Sequence, residues 1–164
     1  MKRQNTARRI RFAVASTMTE KVFPYELPEN WQWTTLGNVA KIFTDNSINE
    51  KIKQENYVER TDRLIYIATK DIGFDNKINY DTQIKVPESE NFKVAPKDIT
   101  LLCIEDGSAG KKIDFTDQPV CFVNKLCTFV SQKINSRRIY FFMQTEFFES
   151  VQREKTRLNR WRVY

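Results

Sequence analysis

Gly107-Ser108-Ala109-Gly110-Lys111-Lys112 is the segment whose composition comes nearest to a chemical motif, two glycines followed by adjacent ammonium groups. Glycines let a backbone approach a partner closely, and lysines neutralise phosphates. A nucleotide-binding phosphate loop needs four residues between its glycines, then Gly-Lys-Ser/Thr. Here two residues intervene, and Lys112 stands where the hydroxyl is required. The pattern fits a strand–loop–strand tip better than an NTP site. Such a tip could offer Lys111 and Lys112 to phosphates; an ordinary hairpin tip with solvated lysines would read the same way.

Thr69-Lys70-Asp71 follows an apolar run and precedes Ile72-Gly73. Polar side chains at the end of a rigid strand are placed for recognition, and the same residues also make a plain turn. Glu105-Asp106 is a carboxylate pair with no further Asp/Glu/His cluster beside it, which reads as a solvated loop. Trp31, Trp33 and Phe43 could stack on bases, but alternating aromatics on strands read first as core. Leu36, Ile65, Ile67, Leu101, Ile104, Phe122 and Phe129 join them as expected core.

The chain has no histidine, which removes Ser-His-Asp and Cys-His catalysis and His-containing metal sites. There is no Gly-rich cofactor loop, no Asn/Asp-Pro-Pro-Tyr/Phe segment for a flipped base, and no clustered Asp/Glu/Lys centre of a nuclease. The expectation is a protein without catalysis, cofactor or metal.

The 164 residues carry a formal charge of +6, which invites a nucleic-acid reading. Residues 1–21 hold six basic residues against one acidic, and residues 153–164 hold five against one. The middle, 22–152, holds 16 against 19, a net −3. Any DNA-binding face on the middle must therefore come from local placement of Lys and Arg. The odd set of Cys103, Cys121 and Cys127, without a Cys-x-x-Cys pair, points to buried thiols in a reducing cytoplasm. No apolar run reaches the ~20 residues of a membrane span. Arg8, Arg9 and Arg11 interrupt any signal-peptide core near Ala13-Val14-Ala15.

The elements that must position these residues are mostly strands. Residues 1–22 read as a basic arm or linker, stiffened at its exit by Pro24 and Pro28. Trp31 to Thr35 alternates as a half-buried strand. Leu36 to Ala40 makes a turn or helical piece, and Lys41 to Thr44 resumes as strand. Residues 45–63 are a polar loop with room for a short helix. Strands are expected over Arg63–Ala68, Ile78–Tyr80, Gln83–Val86, Ile99–Ile104, Lys111–Phe115, Val120–Val123 and Leu126–Ser131. Pro96-Lys97-Asp98 reads as a turn. Ser136 is the expected N-cap of a helix over Arg137 to about Lys155, with Phe141 and Phe148 widening its apolar surface. Residues 153–164 form a basic tail.

Three segments in order resemble the target recognition domain of the DNA specificity (S) subunit of type I restriction–modification systems. The first, Phe23 to Val39, is similar to the family's opening pattern Pro-x-x-Trp-x-Trp-x-x-Leu-Gly. The second is Tyr66-Ile67-Ala68-Thr69-Lys70-Asp71-Ile72. The third is Val94-Ala95-Pro96-Lys97-Asp98-Ile99-Thr100-Leu101-Leu102 followed by Gly107-Ser108-Ala109-Gly110-Lys111, with Lys97 where the family usually has Gly. Asn124 and the helix with Phe147-Phe148-Glu149 extend the likeness, which covers residues 23–152.

The resemblance implies an α+β fold: a twisted, mostly antiparallel sheet assembly with a C-terminal helix. It implies recognition of one half of a bipartite duplex DNA site, in partnership with methyltransferase and restriction subunits. Lysines and arginines would hold phosphates while loop side chains read base edges. The expected contacts are Thr69, Lys70, Ser108, Lys111 and Lys112, then Arg60, Arg63 and Lys77. A full S subunit continues into a long helix and a second recognition domain, so a single domain would need a homodimer to space two half-sites. Two other readings stand beside this one. One is an interaction half-subunit that assembles with the same partners without reading DNA. The other is a nonspecific binder that uses only residues 1–21 and 153–164.

Overall fold

Thr100-Leu101-Leu102-Cys103 is buried along its whole length, which requires that both faces of its strand be covered. The computed structural model supplies both covers. It describes residues 34–45, 47–58, 64–87 and 92–149, together with Glu26, Pro28 and Glu29. Trp31 and Trp33 lie outside these residues, as do the arm and the tail.

Eight strands are described: β1 Lys41–Phe43, β2 Leu64–Ile67, β3 Lys85–Val86, β4 Val94–Ala95, β5 Thr100–Cys103, β6 Ile113–Phe115, β7 Val120–Phe122 and β8 Leu126–Val130. They form two four-stranded sheets, ordered β1-β8-β5-β6 and β3-β2-β7-β4. The first is antiparallel throughout. In the second, β2 and β7 run parallel, with Tyr66 opposite Cys121 and Ile67 opposite Phe122. Three helices accompany them: α1 Leu36–Val39, α2 Glu50–Asn56 and α3 Ser136–Phe142. The architecture is α+β.

Alternation along β5 and β8 explains the layering. Leu101, Cys103 and Leu126 pack with Ile67, Val86, Val120 and Phe122 of the second sheet. Leu102, Cys127 and Phe129 point the other way, onto Ile139 and Met143 of the α3 region and Phe148 beyond it. The first sheet is thus the middle layer. On the second sheet, Tyr66 meets the edge of Phe92 at 6.5 Å, and Lys53 of α2 lies 5.5 Å above the Tyr66 ring.

Several expectations shift. Asn135, not Ser136, caps α3, its side chain accepting from the Arg137 amide at 2.9 Å. The helix stops at Phe142, and residues 146–149 are helical again. Thr145 makes the break: its hydroxyl donates to the Phe142 carbonyl at 2.7 Å and accepts from the Phe148 amide at 3.3 Å. Phe148 is consequently buried while Phe141 stays 62% exposed. The Ile78–Tyr80 strand reduces to an Ile72–Ile78 bridge. Lys111 and Lys112 lie ahead of β6, where the chain is still turning. Thr34 and Thr35 are irregular. Of the expected core, Ile67, Leu101, Ile104, Phe122 and Phe129 are buried, and Leu36, Phe43 and Ile65 are half-buried.

Candidate nucleic-acid interface

Parallel pairing of β2 with β7 sends both strands out at the same end of the sheet, and hydrogen bonds tie β5's exit to them. The Val123 amide donates to the Ile67 carbonyl at 3.0 Å, and the Ile104 amide donates to the Lys125 carbonyl at 2.9 Å. The segments following β2, β5 and β7 are therefore neighbours in space.

The first segment is rigid for its length. After β2, residues Thr69–Asp71 make one tight turn, closed by the Asp71 carboxylate accepting from the Ala68 amide at 2.8 Å. Residues 72–79 then form a short reversal. The Gly73 amide donates to the Lys77 carbonyl at 2.9 Å and the Asn79 amide to the Asp71 carbonyl at 2.7 Å. Asn76 turns the chain at φ 59°, a left-handed value that Asn tolerates. Asp114 of β6 anchors the base, accepting from the Ile78 amide at 2.7 Å. Burial pushes the Asp114 carboxyl up.

The second segment turns through Asp106–Ser108 and returns through Gly110. Gly110 sits at φ 73°, and its amide donates to the Cys103 carbonyl at 2.8 Å. That conformation is why a glycine stands there. At Gly107 an added Cβ would meet nothing within 4 Å, so packing does not require glycine at that position. Lys125, from the third segment, ion-pairs with Asp106 at 2.5 Å.

Lys112 joins the first two segments. Its ammonium donates to the Thr69 carbonyl at 3.1 Å and lies 4.9 Å over the Phe74 ring. The Thr69 hydroxyl is buried beside the Cys103 thiol and is turned away from solvent. Lys70, Lys77 and Lys111 are exposed, and among the described residues none has a carboxylate within ion-pair distance. Ser108 is half-buried. Arg60 and Arg63 lie outside the described residues.

Charge at this end is nearly balanced. Residues 69–77, 104–112 and 125 hold five lysines against Asp71, Asp75, Glu105 and Asp106, a surplus of one (5 − 4). Asp71 is engaged by backbone and Asp106 by Lys125, while Lys70, Lys77 and Lys111 face water together with Asp75 and Glu105. Sequence reasoning passed over Phe74, which is 69% exposed at the tip of the first segment. A lone aromatic between Gly73 and Asp75-Asn76, inside a polar stretch, was the available signal. Among the described residues, no group of three His/Cys/Asp/Glu could hold a metal ion. No helix among them is long and apolar enough to cross a membrane.

Two packed four-stranded sheets with a helix on the outer face of one make a fold shared with solved HsdS-type structures. An HsdS subunit from Thermoanaerobacter tengcongensis superposes at a TM-score of 0.55 with 18% identity, over 73% of this chain and 28% of that one. A chain from a structure concerned with complex assembly and conformational transition of the type I R-M system superposes at 0.55 with 17% identity, again over 73% and 28%. The chain thus spans little more than a quarter of the length of either. No protein-family model and no curated protein matches it.

Proposed function

We propose that this domain reads one half of a bipartite duplex DNA site, as a target recognition domain of a type I restriction–modification specificity subunit. It directs methyltransferase and endonuclease subunits to that site and has no catalysis of its own. The supporting observation is the gathering of the segments after β2, β5 and β7 at one end of the fold, with Lys70, Lys77 and Lys111 exposed there and without carboxylate partners among the described residues. Those three lysines hold phosphates, which sets register and orientation. Ser108 reaches toward base edges from the Gly107–Gly110 turn. Thr69 and Lys112 serve mainly by fixing the two segments to each other. Arg60 and Arg63 enter as further phosphate contacts from the sequence alone. A homodimer would present two copies of the domain to the two half-sites, and the location is cytoplasmic.

Randomised-duplex selection on the full chain at near-physiological salt tests this. An enriched short motif supports the reading and names the half-site. Weak, salt-sensitive retention without enrichment overturns it. That result leaves the interaction half-subunit, which draws on the exposed Phe141 of α3, or binding by the basic ends alone. Deleting residues 1–21 and 153–164 separates these, because a true reader keeps its motif without them.

A further inference from the structure

Phe74 is the most exposed large hydrophobic side chain among the described residues, at 69%. It is not on a loose loop. The Gly73–Lys77 and Asn79–Asp71 backbone bonds, the Ile72–Ile78 bridge and the Asp114 carboxylate all fix the reversal that carries it. Lys112 sits over one face of the ring while its ammonium also holds the Thr69 carbonyl. The ring is thus held in place with most of its apolar area in water, between a half-buried lysine on one face and the exposed Asp75 beside it in sequence.

We propose that Phe74 reads the C5-methyl group of a thymine in the major groove of the target half-site, an inference that rests on the DNA-reading function proposed above. Phenylalanine has no conventional hydrogen-bonding group, so among major-groove marks the thymine methyl is the one its apolar ring matches. Full insertion between two stacked bases would cover both faces of the ring. Lys112 occupies one face, which leaves the other face and the edge for a contact made from outside the stack. Lys70 and Lys77 belong to the same segment as Phe74, and Lys111 adjoins Lys112, which touches the ring; their phosphate contacts would bring the ring to the groove.

The test uses the full chain and Phe74→Ala in parallel randomised-duplex selections. Affinities are then measured on the selected duplex with each thymine replaced in turn by uracil, which removes only the methyl. The wild-type motif should contain a thymine whose replacement by uracil weakens binding on the order of tenfold. Phe74→Ala should lose preference at that position, show no further loss with uracil, and keep the wild-type salt slope. If the wild type selects a motif that lacks thymine, or one that Phe74→Ala reproduces unchanged, this inference fails and the DNA-reading function stands. If the wild type selects no motif, both fail. Should Phe74→Ala not fold, the wild type decides alone: equal affinity for uracil at every thymine overturns the inference.

Discussion

The Lys112 ammonium donates to the Thr69 carbonyl at 3.1 Å across 43 residues of sequence, and this one bond fixes the segment after β5 against the segment after β2. Its neighbour Lys111 is exposed, with its amide bonded to the Ser108 carbonyl at 3.0 Å. Adjacent lysines therefore have different jobs, one internal and one facing solvent.

Single substitutions should separate those jobs. Lys112→Ala removes a charge-assisted hydrogen bond and a cation–π contact at a half-buried site, and should cost about 1 kcal/mol of stability. Lys111→Ala should stay within about 0.5 kcal/mol of wild type. Binding should show the converse: Lys111→Ala lowers the log–log salt slope by about 0.9, the signature of one lost phosphate contact. Denaturant melts and duplex titrations across salt check both. If the double variant binds with unchanged affinity and slope, the segment lies outside the interface.

Thr116 is a second internal fastener. Its buried hydroxyl accepts from the Ile99 amide at 2.9 Å and donates to the Pro96 carbonyl at 2.7 Å, holding the turn that feeds β5. Thr116→Val keeps the volume but strands the Ile99 amide, so a loss of about 1–3 kcal/mol is expected. A melt within error of wild type would show that the turn forms without it.

Alkaline pH should destabilise the fold before it titrates the buried phenols. Burial pushes Tyr66 and Tyr80 up to about 12, whereas an unfolded tyrosine ionises near 10. The folded state keeps these protons longer than the unfolded chain does. Stability is therefore full below about 10 and falls as pH rises from there toward 12. Tyrosinate absorbance followed together with circular dichroism tests this. Ionisation of every tyrosine near 10 with the fold intact would contradict it.

The three cysteines should be silent in the folded protein. Cys103, Cys121 and Cys127 are buried, and burial pushes the Cys103 and Cys127 thiols up, away from the reactive thiolate. A thiol reagent at neutral pH should label none of them until denaturant is added, and then all three. Rapid labelling of native protein at any one would mean that its strand opens.

The break after α3 rests on one side chain. Thr145→Ala removes both the bond to the Phe142 carbonyl and the cap on the Phe148 amide. A cost of about 1 kcal/mol is expected. Gain of helix by circular dichroism, with no loss of stability, would show that Thr145 does not set the break.

Local chemistry alone determined much of this protein. The apolar runs around β2, β5, β7 and β8 specify strands because their side chains alternate between two faces that must both be covered. Asp98 takes a left-handed φ of 63°, a conformation that Asp tolerates in a turn. Gly110 and Asn76 mark turns for the same steric reason. The absence of histidine and the concentration of positive charge at the two ends also need no structure to be read.

What tertiary structure decided is which neighbour each face meets. Periodicity says that Ile67 and Phe122 are buried, not that their strands lie side by side and parallel, yet that pairing gathers the segments of the candidate interface. Helical spacing places Phe141 and Phe148 on one apolar surface, and the Thr145 break exposes one and buries the other. Loops have no period, so the Lys112–Thr69 bond leaves no trace in the order of residues, and a lone aromatic in a polar stretch is all that points to the exposure of Phe74. Both follow from distances across the fold, set by the packing of two sheets on one shared core.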